Sequence, residues 1–315
     1  MQYRNFGKSD LATSAIGFGG WPMGRGGYGS FDDREVVRSV HSAMDMGVTL
    51  FDTAPAYGKG EGERLLGQAL AGRRDRVVLV SKGGIRPGER GPNNRDSSRE
   101  FLTAGLEESL RNLGTDHLDL FLIHWPDESM PFSEPMEAIA EFQRQGKIRY
   151  GGVSNFSVDQ MRDSLETFPI VCNQVGYHLF DSRPEPEILP FCQQQGLGVM
   201  AYGSLAHGLL TGSMGPDTKF EEDDWRRNLV AFGQPIFEGE HFLRNLERVE
   251  KLKEIAASKG KTVAQLAMAW VLSSPAVTVG LVGIRRPEEL EENVQAADWA
   301  MTESDRQEIS AVASS

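Results

Sequence analysis

Short β-branched and apolar runs alternate along the chain with longer segments whose apolar residues recur every three or four positions. This is the pattern of a parallel sheet wrapped by helices. The alternation repeats eight times and predicts strands at Ala15–Gly19, Thr49–Asp52, Val77–Lys82, Leu118–His124, Tyr150–Ser154, Val171–Val175, Gly198–Tyr202 and Thr278–Gly283. Val77-Val78-Leu79-Val80 and Leu120-Phe121-Leu122-Ile123 are apolar throughout, as expected of strands covered on both faces. Between the strands, Leu102, Leu106, Leu110 and Leu113 fall on one helical face, and so do Leu246, Val249, Leu252 and Ala256. Ser97 with Glu100 reads as a capping box, and Pro287 followed by Glu288 and Glu289 suits a first helical turn. No Pro/Gly/Ser linker separates the units, so the expectation is one closed (β/α)8 TIM barrel forming a single domain over residues 1–315. Gln2–Phe6 and Leu11–Thr13, flanking a turn at Gly7–Asp10, read as an N-terminal hairpin closing the barrel floor. The rhythm breaks after the seventh strand, where Gly203 to His241 show no clear element; a loop that long, with Asp223-Asp224-Trp225-Arg226-Arg227 inside it, reads as a closing loop.

Composition narrows the function. The 315 residues, 39% hydrophobic and 25% charged, are those of a globular protein. With 33 Lys+Arg against 45 Asp+Glu the net charge is -12, which argues against a nucleic-acid partner. No apolar run is long enough for a membrane span and the first ten residues lack a signal-peptide core, so the expected compartment is the cytoplasm. Cys172 and Cys192 form neither a disulfide framework nor a zinc pattern, and no metal site is expected.

Two glycine motifs mislead. Gly24-Arg25-Gly26-Gly27-Tyr28-Gly29 satisfies G-x-G-x-x-G, but Trp21-Pro22-Met23 separates it from the preceding strand and the next helix starts near Asp32 or Asp33, which is the wrong context for a dinucleotide fingerprint. In Ser81-Lys82-Gly83-Gly84 the glycines follow the lysine, so it is no Walker A loop.

The informative feature is the polar residues at strand ends, because the C-terminal ends of barrel strands carry the chemistry. Asp52, Lys82 and His124 end the second, third and fourth strands, and Tyr57 follows Asp52 in the same loop. Each alone reads as a cap, a surface charge, a core histidine or a packing residue; together they should converge on one patch. With neither Ser nor Cys in the group, and too few ligands for catalytic zinc, the set fits proton transfer to an oxygen. Tyr57 would donate the proton, with its pKa lowered by the neighbouring ammonium; Asp52 would orient Lys82, and a neutral His124 would hydrogen-bond the carbonyl oxygen.

Asp52-Thr-Ala-Pro-Ala-Tyr57-Gly, Ser81-Lys82-Gly, Leu122-Ile-His124-Trp-Pro and Gly152-Val-Ser154-Asn155-Phe resemble, in order and spacing, the aldo-keto reductases, and the resemblance covers essentially the whole chain. It implies an NAD(P)-dependent (β/α)8 barrel without a Rossmann domain, reducing aldehydes or ketones or oxidising alcohols, with Asp52, Tyr57, Lys82 and His124 as catalytic tetrad. It further implies that Ser154, Asn155 and Gln174 bind the nicotinamide amide, that Tyr202 stacks on its ring, and that Gly203, Ser204 and Leu205 meet the pyrophosphate. The segment from Gly283 to Asn293 resembles the family's adenosine loop, with Asn293 facing adenine and Arg285 or Arg286 facing a 2'-phosphate. Glu289 stands where many relatives carry Arg or Gln, and a carboxylate repels phosphate but suits a ribose 2'-hydroxyl; the two arginines push the other way, so the expectation is NADP(H) favoured modestly over NAD(H). Glu61-Gly62-Glu63 replaces the more usual Ser-Glu at the second helix. Trp21, Tyr28 and Trp125 are candidates for a substrate pocket, and Asp127 for recognition of hydroxylated substrates. The resemblance extends to potassium-channel beta subunits, so the alternative is a cofactor-bound redox sensor or regulatory subunit with low turnover. A cofactor-free hydrolase or lyase would leave Ser154, Asn155, Gln174 and Tyr202 unexplained.

Overall fold

The computed structural model describes residues 1–24, 32–86, 94–222, 224–284 and 286–315. The chain opens with an antiparallel hairpin, β1 (Tyr3–Asn5) and β2 (Ala12–Ser14). Eight parallel strands then close on themselves: β3 (Ile16–Gly19), β4 (Leu50–Asp52), β5 (Val78–Gly83), β6 (Leu118–Ile123), β7 (Ile148–Ser154), β8 (Cys172–Gly176), β9 (Gly198–Tyr202) and β10 (Val277–Gly283), with β10 pairing back onto β3. All eight lie within two residues of the bounds that periodicity predicts. The fold is the expected (β/α)8 TIM barrel.

Helices α1 (Asp33–Asp45) to α10 (Glu303–Ser314) surround it. In α3 (Arg99–Leu113), Leu102, Leu106, Leu110 and Leu113 are buried against the barrel, and in α7 (Gly239–Ser258) so are Leu246, Val249, Leu252 and Ala256. Between α7 and β10, α8 (Val263–Ser273) buries every residue from Val263 to Leu272. Pro287 is the first residue of α9 (Pro287–Val294), as expected of a ring that presets the helical φ.

Inside the barrel, Leu50, Val78, Val80, Leu120, Leu122, Met200, Val279 and Leu281 pack into a core plugged from below by Phe6 and Leu11 of the hairpin. The hairpin is thus the barrel's floor, and Arg4 ties it down by donating to the carbonyls of Leu272 at 3.0 Å and Val277 at 2.7 Å. A Cβ on Gly17 would come within 2.8 Å of Leu50, Val279 and Leu281, so this strand stays narrow where the interior is full.

Two local expectations are corrected. Ser98, not Ser97, caps α3, accepting from Phe101 N at 3.3 Å. Ser97 is fully buried and its backbone N donates to Asp127 Oδ2 at 2.9 Å; adjacent serines are indistinguishable by spacing alone. The segment after β9 is not featureless: 3₁₀ turns at Ala206–Thr211 and Trp225–Asn228 precede α7, which begins at Gly239. Such turns need only i to i+3 bonds and carry no apolar stripe. The G-x-G-x-x-G motif lies outside the described residues beyond Gly24, which ends a 3₁₀ turn from Trp21. Among the described residues no helix is long and apolar enough to cross a membrane.

Candidate active site

The barrel brings Asp52, Tyr57, Lys82 and His124 together. Asp52 ends β4, Lys82 sits near the end of β5, and His124 follows β6, its N donating to Gly83 O at 2.9 Å. Tyr57 folds back from the β4 loop through Tyr57 N to Ala54 O at 3.0 Å. Lys82 is fully buried, and its Nζ donates to Asp52 Oδ1 and Oδ2 at 2.8 and 2.7 Å, to Thr53 O at 2.9 Å and to Tyr57 Oη at 3.2 Å. The His124 ring stands edge-on to Tyr57, centroids 5.8 Å apart. Gln174 Nε2 also donates to Asp52 Oδ1, at 2.9 Å, so that this buried carboxylate is held from two sides.

The electrostatics depart from expectation at Tyr57. Its pKa is raised well above the ordinary 10, first by burial and then by Asp52, not lowered by Lys82. Asp52 opposes the ammonium at the phenol and burial acts in the same direction as Asp52, so the shift is upward. Burial also pulls Lys82 below its ordinary value, with Asp52 pushing back. His124 falls well below 6.5, through burial and then through Lys82, so its imidazole is neutral at pH 7.

Behind the tetrad is the carboxylate of Glu63, which the sequence marks only as a departure at the start of the second helix. Helix α2 (Glu61–Leu70) starts after Gly60, whose φ is +81°, with no side-chain cap. Glu63 turns inward to accept from Ser81 Oγ at 2.7 Å and Asn112 Nδ2 at 3.0 Å.

A cleft of about 650 Å³ opens above the tetrad at the C-terminal ends of the strands. Ser154, Asn155, Gln174, Tyr202, Gly203, Ser204, Leu205, Gly283, Glu289 and Asn293 all line it, as do Trp21 and Trp125. Asn155 adopts a left-handed φ of +63°, donates to His124 O at 3.1 Å and Ser154 Oγ at 3.0 Å, and accepts from Tyr202 Oη at 2.8 Å. Ser154 Oγ donates to Gln174 O at 3.0 Å. Arg286 is exposed at the N-cap of α9 and is not part of the cleft wall. Arg285 and Tyr28 lie outside the described residues. Asp127 does not face the cleft: it is buried and accepts from Ser97 N and from Ser129 N and Oγ, so it builds the rim instead of reading a substrate.

The cleft fits a nicotinamide dinucleotide on its own features. Asn293 Oδ1 is buried in the wall with no hydrogen-bond partner among the described residues, an acceptor matched to an exocyclic adenine amine. Gly203, at φ +67°, turns the backbone at the start of the segment expected to meet the pyrophosphate, where a Cβ would come within 3.0 Å of His207. His207, Met214, Arg226, Phe232 and Glu292 also line the cleft. Arg226 belongs to the charged cluster that the sequence reads as a closing loop and Glu292 to the segment from Gly283 to Asn293, whereas His207, Met214 and Phe232 went unmarked because the segment after β9 has no period.

Comparison with known proteins agrees with this architecture. Residues 15–314 match the aldo/keto reductase family. The chain is 35% identical to the aldo-keto reductase YhdN of Bacillus subtilis, over 99% of this chain and 93% of that protein. It is 33% identical to a probable voltage-gated potassium channel subunit beta of Arabidopsis thaliana, over 95% of this chain and 92% of that one. The solved structure of the glycerol dehydrogenase AKR11B4 from Gluconobacter oxydans superposes with a TM-score of 0.88 at 34% identity, covering 98% of this chain and 94% of that one. A closed parallel barrel, a polar cluster at its strand ends and a match along nearly the whole sequence place this chain in the aldo/keto reductase family, as an NAD(P)H-dependent carbonyl oxidoreductase.

Proposed function

We propose that Tyr57 is the general acid that protonates the carbonyl oxygen during reduction and the base that removes the alcohol proton in the reverse direction. The observation that carries this is the Lys82 Nζ to Tyr57 Oη contact at 3.2 Å. Because Oη accepts from the ammonium, the phenol's own proton is left for the cleft. Asp52 and Thr53 O hold Lys82 in place, and neutral His124 offers a ring N–H beside Tyr57. Two donors then meet the negative charge developing on the oxygen. Ser154, Asn155 and Gln174 would hold the amide of a nicotinamide, Tyr202 its ring, and Gly203, Ser204 and Leu205 the pyrophosphate, and the bound cofactor would supply or accept the hydride. Gln174 also donates to Asp52, which couples the amide site to the tetrad.

The cofactor we favour is NADP(H), modestly over NAD(H). Arg286, at the N-cap of α9, and its sequence neighbour Arg285 supply the positive charge for a 2'-phosphate, while Glu289 and Glu292 in the wall oppose it. A charge-assisted contact to phosphate is worth about 1.5–3 kcal/mol, and a carboxylate nearby takes back part of that. The partner is a small carbonyl or alcohol, not a nucleic acid, given the net charge of -12. Two buried free thiols, Cys172 and Cys192, suit the reducing cytoplasm.

Steady-state turnover with excess aldehyde and NADPH tests this reading. Sustained multiple turnovers are expected; a single slow round would instead mark the cofactor-bound sensor that the beta-subunit relative suggests.

A further inference from the structure

The segment between β9 and α7 contains a reversal at Ala231-Phe232-Gly233-Gln234. Ala231 N donates to Gln234 O at 2.7 Å and Gln234 N to Ala231 O at 2.9 Å, while φ is +48° at Phe232 and +82° at Gly233. Two successive positive φ values in a two-residue connection define a type I′ turn, whose first position ordinarily goes to Asn, Asp or Gly. A phenylalanine there is strained, and such strain persists only where surroundings enforce it. The enforcing group comes from the loop after β8. Arg183 grips Asp181 through Nε to Oδ1 at 2.7 Å and Nη2 to Oδ2 at 2.6 Å, and Nη2 also donates to Phe232 O at 3.0 Å.

Burial does not explain the choice of residue, since Phe232 remains 38% exposed. Its ring instead projects into the mouth of the cleft that Tyr57 and His124 line. There it lies parallel to Trp125, centroids 6.4 Å apart, and close to parallel with His207 at 5.4 Å; it stands edge-on to Trp21 at 6.0 Å and to Tyr202 at 5.2 Å. A flat substrate ring entering above Tyr57 would have to take the space this ring holds between Trp125 and Tyr202.

We propose that Phe232 sets the size of the carbonyl substrate, admitting compact aliphatic aldehydes and excluding bicyclic aryl ones, with Arg183 and Asp181 as positioning residues that hold its strained turn. This rests on the carbonyl-reductase reading above. The test compares kcat/KM for butanal and 2-naphthaldehyde in the wild type, Phe232→Ala, Phe232→Asn and Arg183→Ala, with melting temperature and cofactor Kd measured alongside. The naphthaldehyde-to-butanal ratio is expected to rise about tenfold or more in both Phe232 variants, the scale on which apolar pockets discriminate. It should rise less, in the same direction, in Arg183→Ala. Asn tolerates the left-handed region, so Phe232→Asn should keep or raise the melting temperature and separates selectivity from folding. A ratio within about twofold of wild type in both Phe232 variants, with cofactor Kd unchanged, overturns the proposal even if the melting temperature moves. Wild-type protein that binds cofactor yet turns over neither aldehyde overturns the carbonyl-reductase reading, and this proposal with it.

Discussion

Replacing Tyr57 by Phe removes one oxygen from a site whose other contacts are unchanged. Lys82 keeps both Asp52 oxygens, at 2.7 and 2.8 Å, and Thr53 O at 2.9 Å, so its ammonium stays satisfied. One hydrogen bond at 3.2 Å is lost, worth about 1 kcal/mol, and the melting temperature should scarcely change. Cofactor Kd should be unchanged as well, because Tyr57 lies at the tetrad and not among the groups placed along the cofactor. The chemical step should suffer. General acid catalysis contributes about 10²–10⁴-fold, or roughly 2.7–5.4 kcal/mol of barrier. Stopped-flow decay of NADPH absorbance in a single turnover, with saturating aldehyde, isolates that step from product release. In the wild type the phenol is held well above pKa 10 by burial and Asp52. Reduction, which needs the protonated phenol, should therefore stay flat from about pH 7 to 9, while alcohol oxidation, which needs tyrosinate, should climb across the same range without a plateau. A Phe variant that keeps more than about a tenth of the wild-type single-turnover rate would remove Tyr57 from the acid role.

Lys82→Met leaves Asp52, only 3% exposed, with Gln174 as its remaining side-chain donor among the described residues, and should cost about 3–5 kcal/mol of stability in thermal melts. It also removes the cation beside Tyr57, so alcohol oxidation should slow and its pH profile move upward; an unchanged profile at normal rate would exclude the lysine. Since His124 is held well below its ordinary 6.5, reduction should show no acid-side loss between about pH 7 and 5.5 from this group, and a break near 6.5 that His124→Gln abolishes would contradict the neutral imidazole. Glu289→Gln should raise the NADPH-to-NADH affinity ratio several-fold in fluorescence titrations at fixed ionic strength, and no movement would mean that the carboxylate does not face the 2'-position. Phe6→Ala should cost about 3–5 kcal/mol in urea unfolding, because the ring plugs the barrel interior; a loss below about 1 kcal/mol would show that the hairpin is not the floor.

The barrel was legible in the sequence because its determinants are local and repetitive. Strands buried on both faces must be apolar throughout, and helices against them must carry one stripe, so Val77-Val78-Leu79-Val80 and the leucines of α3 announced their elements. Parallel strand register then fixed which residues meet: Asp52, Lys82 and His124 end neighbouring strands and are bound to share the mouth. What the tertiary structure decided are quantities that no spacing encodes. The direction of the Tyr57 shift depends on how completely packing strips water from the phenol and on Asp52 facing Lys82 at 2.7 Å, a balance set by atoms from two strands and the loop that carries Tyr57. Gln174 reaching Asp52 and Glu63 turning towards Ser81 depend on side-chain directions across the sheet. Phe232 was invisible for a different reason. Its position follows from a strained turn and a guanidinium nearly fifty residues away, and irregular backbone carries no period from which to read either.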